Sequence, residues 1–304
     1  MAELQPTDEI LVNRNGIDYK LSVSDIEDKL QETDEVLINR GGVDYKVSGW
    51  DLKEYLDLNP PPWESECGIY HVIVDDPADI VVQNQAAIYN LDTEQQVSSI
   101  TAAGEWIVAG PDTVFQDSPG NWQFGDLTDT RCVTNMHSMF RNARAFNSDI
   151  GNWNVGNVTD MTKMFALAEA FNKDISNWDV SNVTCMFDMF HNARVFNSDI
   201  SNWDVSNVTQ VTWMFYGAWE FNSDISNWDV SNVTSGFGQM FRGAQAFSSD
   251  ISNWDVSNAH CMYNMFYGAS SFNSDLSKWD VSKVENMTNM FAYARVFNSD
   301  ISNW

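Results

Sequence analysis

No stretch of the 304-residue sequence approaches the roughly 18 to 20 uninterrupted apolar residues that a membrane-spanning helix needs. Positive charge is also scarce: 16 basic residues stand against 43 acidic ones, for a formal net charge of −27. Such a surface repels nucleic-acid phosphates and anionic membranes, so neither nucleic-acid binding nor membrane insertion is expected. The opening, MAELQPTDEI, lacks the basic and apolar regions of a secretion signal. A chain with this start is expected to be made and kept in a cytoplasm, or to leave it by lysis or assembly. Cys67, Cys132, Cys185 and Cys261 form no CxxC pair and no metal-ligand spacing, which predicts buried free thiols. His71, His137, His191 and His260 have no HxH or HxxxH partner and no accompanying nucleophile or phosphate-loop motif. No enzyme and no cofactor is expected.

Against these absences stands a 43% hydrophobic composition, normal for folded domains, arranged in two systems of internal repeats. The first is a tandem duplication: DEILVNRNGIDYKLSVSDIEDKL at residues 8–30 returns as DEVLINRGGVDYKVSGWDLKEYL at residues 34–56. In each copy an alternating apolar run meets Asn15-Gly16 or Gly41-Gly42, a β-hairpin signal because both turn residues must take positive φ. Ser24-Asp25 and Ser48-Gly49 follow as caps for a short helix carrying Ile26 and Leu30, or Leu52 and Leu56. The copies therefore read as two ββα modules over residues 1–58, each too small to stand alone. Residues 59–67, with Pro60-Pro61-Pro62, form a semi-rigid linker. Over residues 68–119, short β-branched runs (Tyr70 to Val74, Ile80 to Val82, Val97 to Ile100, Trp106 to Val108) alternate with turn residues, as in a small all-β domain.

The second system fills residues 120–304. Trp153, Trp178, Trp203, Trp228, Trp254, Trp279 and Trp304 recur every 25 residues, except for one interval of 26 with its additional residue near Ser235-Gly236. Within one period Trp153, Val155, Val158, Met161, Met164, Phe165, Ala168, Phe171 and Ile175 are apolar, a spacing that fits a coil turning several corners. Val158 to Met161 alternates like a short strand, and Met164 to Phe171 carries the pattern of a short helix. One strand and one helical turn per 25 residues is the leucine-rich-repeat length class. Stacked copies would share one core. The predicted fold is thus modular α+β/β, ending in a leucine-rich-repeat-like solenoid. Cys185 and Cys261 would share a column three coils apart, too far to bridge.

The recurring string MF..A..FN.DIS.WDVSNVT.M, seen from Met189-Phe190 to Val208-Thr209, resembles the BspA-like leucine-rich-repeat-like surface proteins of bacteria, mycoplasmas and their viruses. The resemblance implies a surface-exposed attachment role with no catalytic residues. The LVNRNGIDYK and LINRGGVDYK cores look like modules of marine cyanophage virion proteins. Together they imply a virion structural and adhesion protein (tail fibre, appendage or capsid decoration) assembled in a host cytoplasm. Residues 1–58 would dock to other virion proteins, the solenoid would project toward a host-surface protein or glycan, and the whole would be a homo-oligomer. The alternatives are a bacterial cell-surface adhesin and a purely architectural decoration protein.

Residues that vary between repeats are free to serve binding, and Trp213, Tyr216, Trp219, Tyr263, Tyr267 and Tyr293 are the candidates for a recognition surface. Aspartates recur in two columns, from Asp149 and from Asp179, which admits either turn-holding carboxylates or calcium sites. The Asn-Val-Thr sequons at 157, 182, 207 and 232 follow from the consensus and are expected to be silent. The Thr159, Thr184, Thr209, Thr234 column admits an ice-binding face, which His260 and Glu285 would interrupt. At Trp304, midway through a coil, either a subunit cap or a truncation is expected.

Overall fold

The computed structural model describes residues 68–304, apart from 92, 94, 121 and 127, and the backbone of residues 9–14, 17–21, 35–40 and 43–48. The chain divides into two compact units, residues 1–65 and residues 66–304. In the first, β1 (Glu9–Arg14), β2 (Ile17–Leu21), β3 (Glu35–Arg40) and β4 (Val43–Ser48) form one antiparallel sheet in the order β2-β1-β3-β4. Arg14 pairs with Ile17 and Arg40 with Val43, so each copy forms the expected hairpin. The duplication then has a physical use. β1 pairs with its own repeat β3, Leu11 opposite Leu37, and two hairpins that are marginal alone become a four-stranded sheet. The expected helices carrying Ile26, Leu30, Leu52 and Leu56, and the proline linker, lie outside the described residues.

The second unit begins with an antiparallel sheet of β5 (Ile69–Val74), β6 (Ala87–Asn90), β7 (Gln96–Val97), β8 (Gly104–Ala109) and β9 (Gln123–Phe124), ordered β7-β6-β8-β5-β9. β5 and β8 are the β-branched runs the sequence marks. Ala87–Asn90 lacks that signature and becomes a strand by pairing with β8. Ile80 to Val82 forms no strand. The sheet's core, with Tyr70, Val72 and Trp106, is continuous with the apolar core of the repeats.

From residue 112 onward the chain is periodic and non-helical. Among the described residues no α-helix occurs, which corrects the helical reading of Met164 to Phe171. The cause lies in where backbone N–H groups go. Those of Met161, Lys163, Phe165 and Leu167 cross to carbonyls of the next repeat, from Cys185 to His191, at 2.7–3.0 Å. Those of Met164, Ala166 and Ala168 close three-residue turns onto Met161, Lys163 and Phe165 at 3.0–3.1 Å. A helix needs all of them inside its own segment. Lys163 and Leu167 take φ of +58° and +64°, the left-handed third position of a type II turn, which breaks a right-handed helix every four residues. Asn or Gly often fills these two columns, as at Asn142, Asn192, Gly217, Gly243 and Gly268. The expected strand shrinks likewise to single parallel bridges joining Asn135, Asp160, Cys185 and Gln210 in succession.

Side chains repeat the same logic. Phe140, Phe165, Phe190, Phe215, Phe241, Phe266 and Phe291 stack at 5.4–5.7 Å between successive ring centres. A second column, from Phe146 to Phe297, stacks at 5.7–6.2 Å. The indole N–H groups of Trp178, Trp203, Trp228, Trp254 and Trp279 donate to Ile150, Ile175, Ile200, Ile225 and Ile251 carbonyls of the preceding repeat at 3.0–3.1 Å. Asparagine makes a third ladder: Asn147, Asn172 and Asn197 each accept the backbone N–H one repeat on at 2.8–3.0 Å. The polar groups of these three ladders are thereby paired by translation alone. Cys185 and Cys261 are free, as their column separation requires. Cys132 departs from the expectation of buried free thiols: it lies on an exposed turn and is disulfide-bonded.

Candidate recognition face

The aspartate columns resolve as turn-holders. Asp174, Asp199, Asp224, Asp250, Asp275 and Asp300 each accept the backbone N–H of the serine two residues on at 2.9 Å. Asp179, Asp204, Asp229, Asp255 and Asp280 do the same at 3.0–3.1 Å. Among the described residues no group of three or more His, Cys, Asp or Glu side chains could hold a metal ion. The threonine hydroxyls of 159, 184 and 209 are spent on carbonyls of the preceding repeat at 3.2–3.3 Å. The sequon amides of Asn157, Asn182, Asn207 and Asn232 donate to the preceding repeat's backbone at 2.7–2.8 Å.

These hydrogen bonds give the chain a pH dependence. The Ser176 N–H holds Asp174 below the usual carboxylate range, and the Ser181 hydroxyl and N–H do the same for Asp179. Asp199, Asp204, Asp224, Asp250, Asp255, Asp275, Asp280 and Asp300 are lowered in the same way. Repulsion from Asp174 and Asp224 pushes Asp199 upward, but by less. A carboxylate depressed on folding contributes stability that is complete above its unfolded value, about 3.9, and is lost as pH falls through the folded value. The urea midpoint should therefore stay level from pH 7 to about pH 5 and drop progressively below about pH 4. A midpoint that rises on acidification would mean that relief of the −27 charge outweighs the turns.

The six candidate aromatics lie in the part of each repeat that runs through the type II turns, apart in sequence from the aspartate turns. Trp219 is 45% exposed and Tyr293 69%, whereas Trp213, Tyr216, Tyr263 and Tyr267 are half-buried. Corresponding positions of successive repeats bring His191, Tyr216, Arg242 and Tyr267 into one column. The His191 and Tyr216 rings are 4.6 Å apart. The Arg242 guanidinium lies over Tyr216 at 5.1 Å and over Tyr267 at 4.9 Å, and Tyr293 meets Tyr267 edge-on at 5.0 Å. Beside this column Trp213 packs on Phe187 at 5.6 Å, and Arg194 covers Trp219 at 4.7 Å while pairing with Glu169 at 3.1 Å. His191 is itself held by Asp188. Tyr263 accepts from Gln239 at 3.1 Å.

The structure thus gathers four of the six candidates into two adjoining groups, His191-Tyr216-Arg242-Tyr267-Tyr293 and Gln239-Tyr263, that meet through Arg242. Trp213 and Trp219 flank them. Arg242, His191, Arg194 and Gln239 were missed from the sequence. Their signal was present: aligned on tryptophan, Arg242 and His191 occupy the column of Tyr216 and Tyr267. Of its basic members Arg194 pairs with Glu169 and His191 with Asp188, while Arg242 stacks on Tyr216 and Tyr267.

A periodic, non-helical backbone with stacked aromatic columns and a variable face of arginine and aromatic side chains defines a tandem-repeat protein. Residues 112–224 and 197–304 match the family described as Mycoplasma protein of unknown function, DUF285, and the chain belongs to that family. The match starts at residue 112, where the columns begin: Phe115 N–H already donates to Met139 O at 2.7 Å and its ring stacks on Phe140. This membership is consistent with the BspA-like resemblance. No curated protein and no solved structure matches the chain.

Proposed function

We propose that the repeats form a solenoid serving as a non-enzymatic attachment scaffold, and that its face of arginine and aromatic side chains binds a host surface. In this reading the chain is a virion appendage or decoration protein, with residues 1–58 docking to the particle. The observation that carries it is the division of labour within each repeat. Invariant positions are consumed by ladders, and the varying ones converge on a face with two exposed rings, Trp219 and Tyr293. Aromatics and arginines carry most of the energy in recognition surfaces. The disulfide at Cys132 supports residence outside a reducing cytosol. The family's description as a Mycoplasma protein favours a second reading, display on a cell surface rather than a particle.

The test uses the full chain and its Trp219→Ala/Tyr293→Ala double variant, each applied to host cells and to purified particles. Parent binding to both, with cell binding reduced at least tenfold in the variant and particle binding unchanged, is the expected outcome. Binding to particles alone would reduce the repeats to architecture. Recovery of the native chain in the cell envelope would favour the cell-surface reading over the virion.

A further inference from the structure

One repeat departs from the others at several positions at once. The interval from Trp228 to Trp254 is the one with 26 residues, and the bridge column that runs from Asn135 to Gln210 is absent there, resuming at Cys261 and Asn286. Gly236 takes φ of +96° in that interval, and a Cβ on it would approach the Cys261 carbonyl oxygen to 2.3 Å. Gly238 leaves room for a ring: a Cβ there would stand 2.4 Å from Tyr263. Gln239, buried and with the left-handed φ of +57° that its column takes in every repeat, donates to Tyr263 Oη at 3.1 Å and accepts from Arg242 Nη1 at 2.8 Å. An additional residue that interrupts pairing in this way re-aims neighbouring side chains and is over-represented next to functional sites.

One of these departures leads to Arg242: Gly238 makes room for Tyr263, which accepts from Gln239, which in turn accepts from Arg242. Its guanidinium is clamped between Tyr216 and Tyr267 and braced by Gln239. Arg131, Arg144 and Arg194 each pair with a carboxylate, whereas among the described residues Arg141, Arg242 and Arg295 do not, and of these three Arg242 is the one held between two rings. None of its nitrogens is among the buried polar atoms left without a partner, so its remaining donors reach solvent. A guanidinium fixed in plane with an open edge matches the two oxygens of a carboxylate, and the ordering cost is already met by the stacking. Tyr293, 69% exposed, meets Tyr267 at 5.0 Å, and Trp219, 45% exposed, stands three residues after Tyr216 with Arg194 over its ring; open ring faces suit the C–H faces of sugar rings. A net charge of −27 disfavours a dense polyanion such as nucleic acid. It tolerates an isolated carboxylate.

We propose that Arg242 is the anchor for the carboxylate of an acidic sugar, a uronate or sialate, at the end of a host-surface glycan, with Tyr293 and Trp219 as stacking platforms. This rests on the recognition reading above and gives it a ligand class. The test is calorimetric titration of the full chain with oligosaccharides ending in glucuronate, galacturonate or N-acetylneuraminate. Each is compared with its carboxyl-reduced counterpart and with an acidic peptide. At least one acidic sugar should bind at least tenfold more tightly than its reduced form and than the peptide. Arg242→Gln should lose at least tenfold of that affinity, Arg242→Lys several-fold because an ammonium cannot fork, and Tyr293→Ala several-fold. Near-ultraviolet circular dichroism matching the parent verifies that the variants are folded. Binding to none of the sugars, equal binding of the reduced forms, tighter binding of the peptide, or undiminished binding by Arg242→Gln overturns the proposal. The same proteins on host cells separate the two readings. If Arg242→Gln keeps cell binding that the Trp219→Ala/Tyr293→Ala variant loses, the carboxylate assignment fails alone; if the parent binds no cells, the recognition reading itself fails.

Discussion

Phe190→Ala is expected to destabilise the second unit by about 3–5 kcal/mol, the range for deleting a fully buried aromatic ring. Phe190 is completely buried. Its ring stacks on Phe165 at 5.5 Å and Phe215 at 5.7 Å, and lies 3.8 Å from Phe196 of its own repeat. The removed ring belongs to a column in which every member packs the next, so its neighbours cannot collapse into the gap without breaking register with their own partners. That places the cost toward the upper end. Urea denaturation of parent and variant, with the slope compared as well as the midpoint, measures it. A loss below about 1 kcal/mol would show that the columns do not transmit packing between repeats. A changed slope would show that the repeats no longer unfold together, as nearest-neighbour coupling in repeat proteins allows.

Trp203→Leu is expected to be nearly as damaging, for two separable reasons. The smaller side chain leaves a cavity where the indole was, a loss of about 3 kcal/mol or more. It also removes the indole hydrogen bond to the Ile175 carbonyl at 3.1 Å, which keeps its bond from the Trp178 N–H at 3.2 Å, adding about 0.5–1.5 kcal/mol for one lost hydrogen bond. Trp203→Phe keeps most of the volume and isolates the second part. Trp219→Leu is the control, since Trp219 is 45% exposed and outside the core, and it should cost less than about 1 kcal/mol. Equal stability of Trp203→Phe and the parent would mean that the ladder of indole bonds contributes nothing beyond packing.

Both expectations draw on positions that were legible in the sequence. A tryptophan returning every 25 residues, with Met, Phe and Ala at constant offsets, identifies the core of each repeat, and Met189, Phe190, Ala193, Phe196 and Trp203 are all at most 3% exposed. The hairpins at Arg14 and Arg40 were equally legible, because turn chemistry and strand alternation are local. Harder to read were elements whose stabilising partners lie a full repeat away. Met164 to Phe171 has the apolar spacing of a helix, and nothing local to it reveals that alternate N–H groups are claimed by the next repeat. The left-handed positions offered a partial clue in their Asn and Gly residues, which Lys163 and Leu167 obscure.

The candidate site divides the same way. Its aromatic members stood out as variable residues against a constant frame, but Arg242 did not, because its alignment with Tyr216 and Tyr267 acquires meaning only once those rings are seen to hold its guanidinium. The sequence by itself determined the period, the core positions, the aspartate columns and the excess of negative charge, since each follows from residue type at a fixed spacing. The tertiary structure alone decided the backbone path between those positions and the meeting of Tyr216, Arg242 and Tyr267. Hydrogen bonds and ring contacts between repeats join residues about 25 positions apart, and they form only once neighbouring repeats lie side by side.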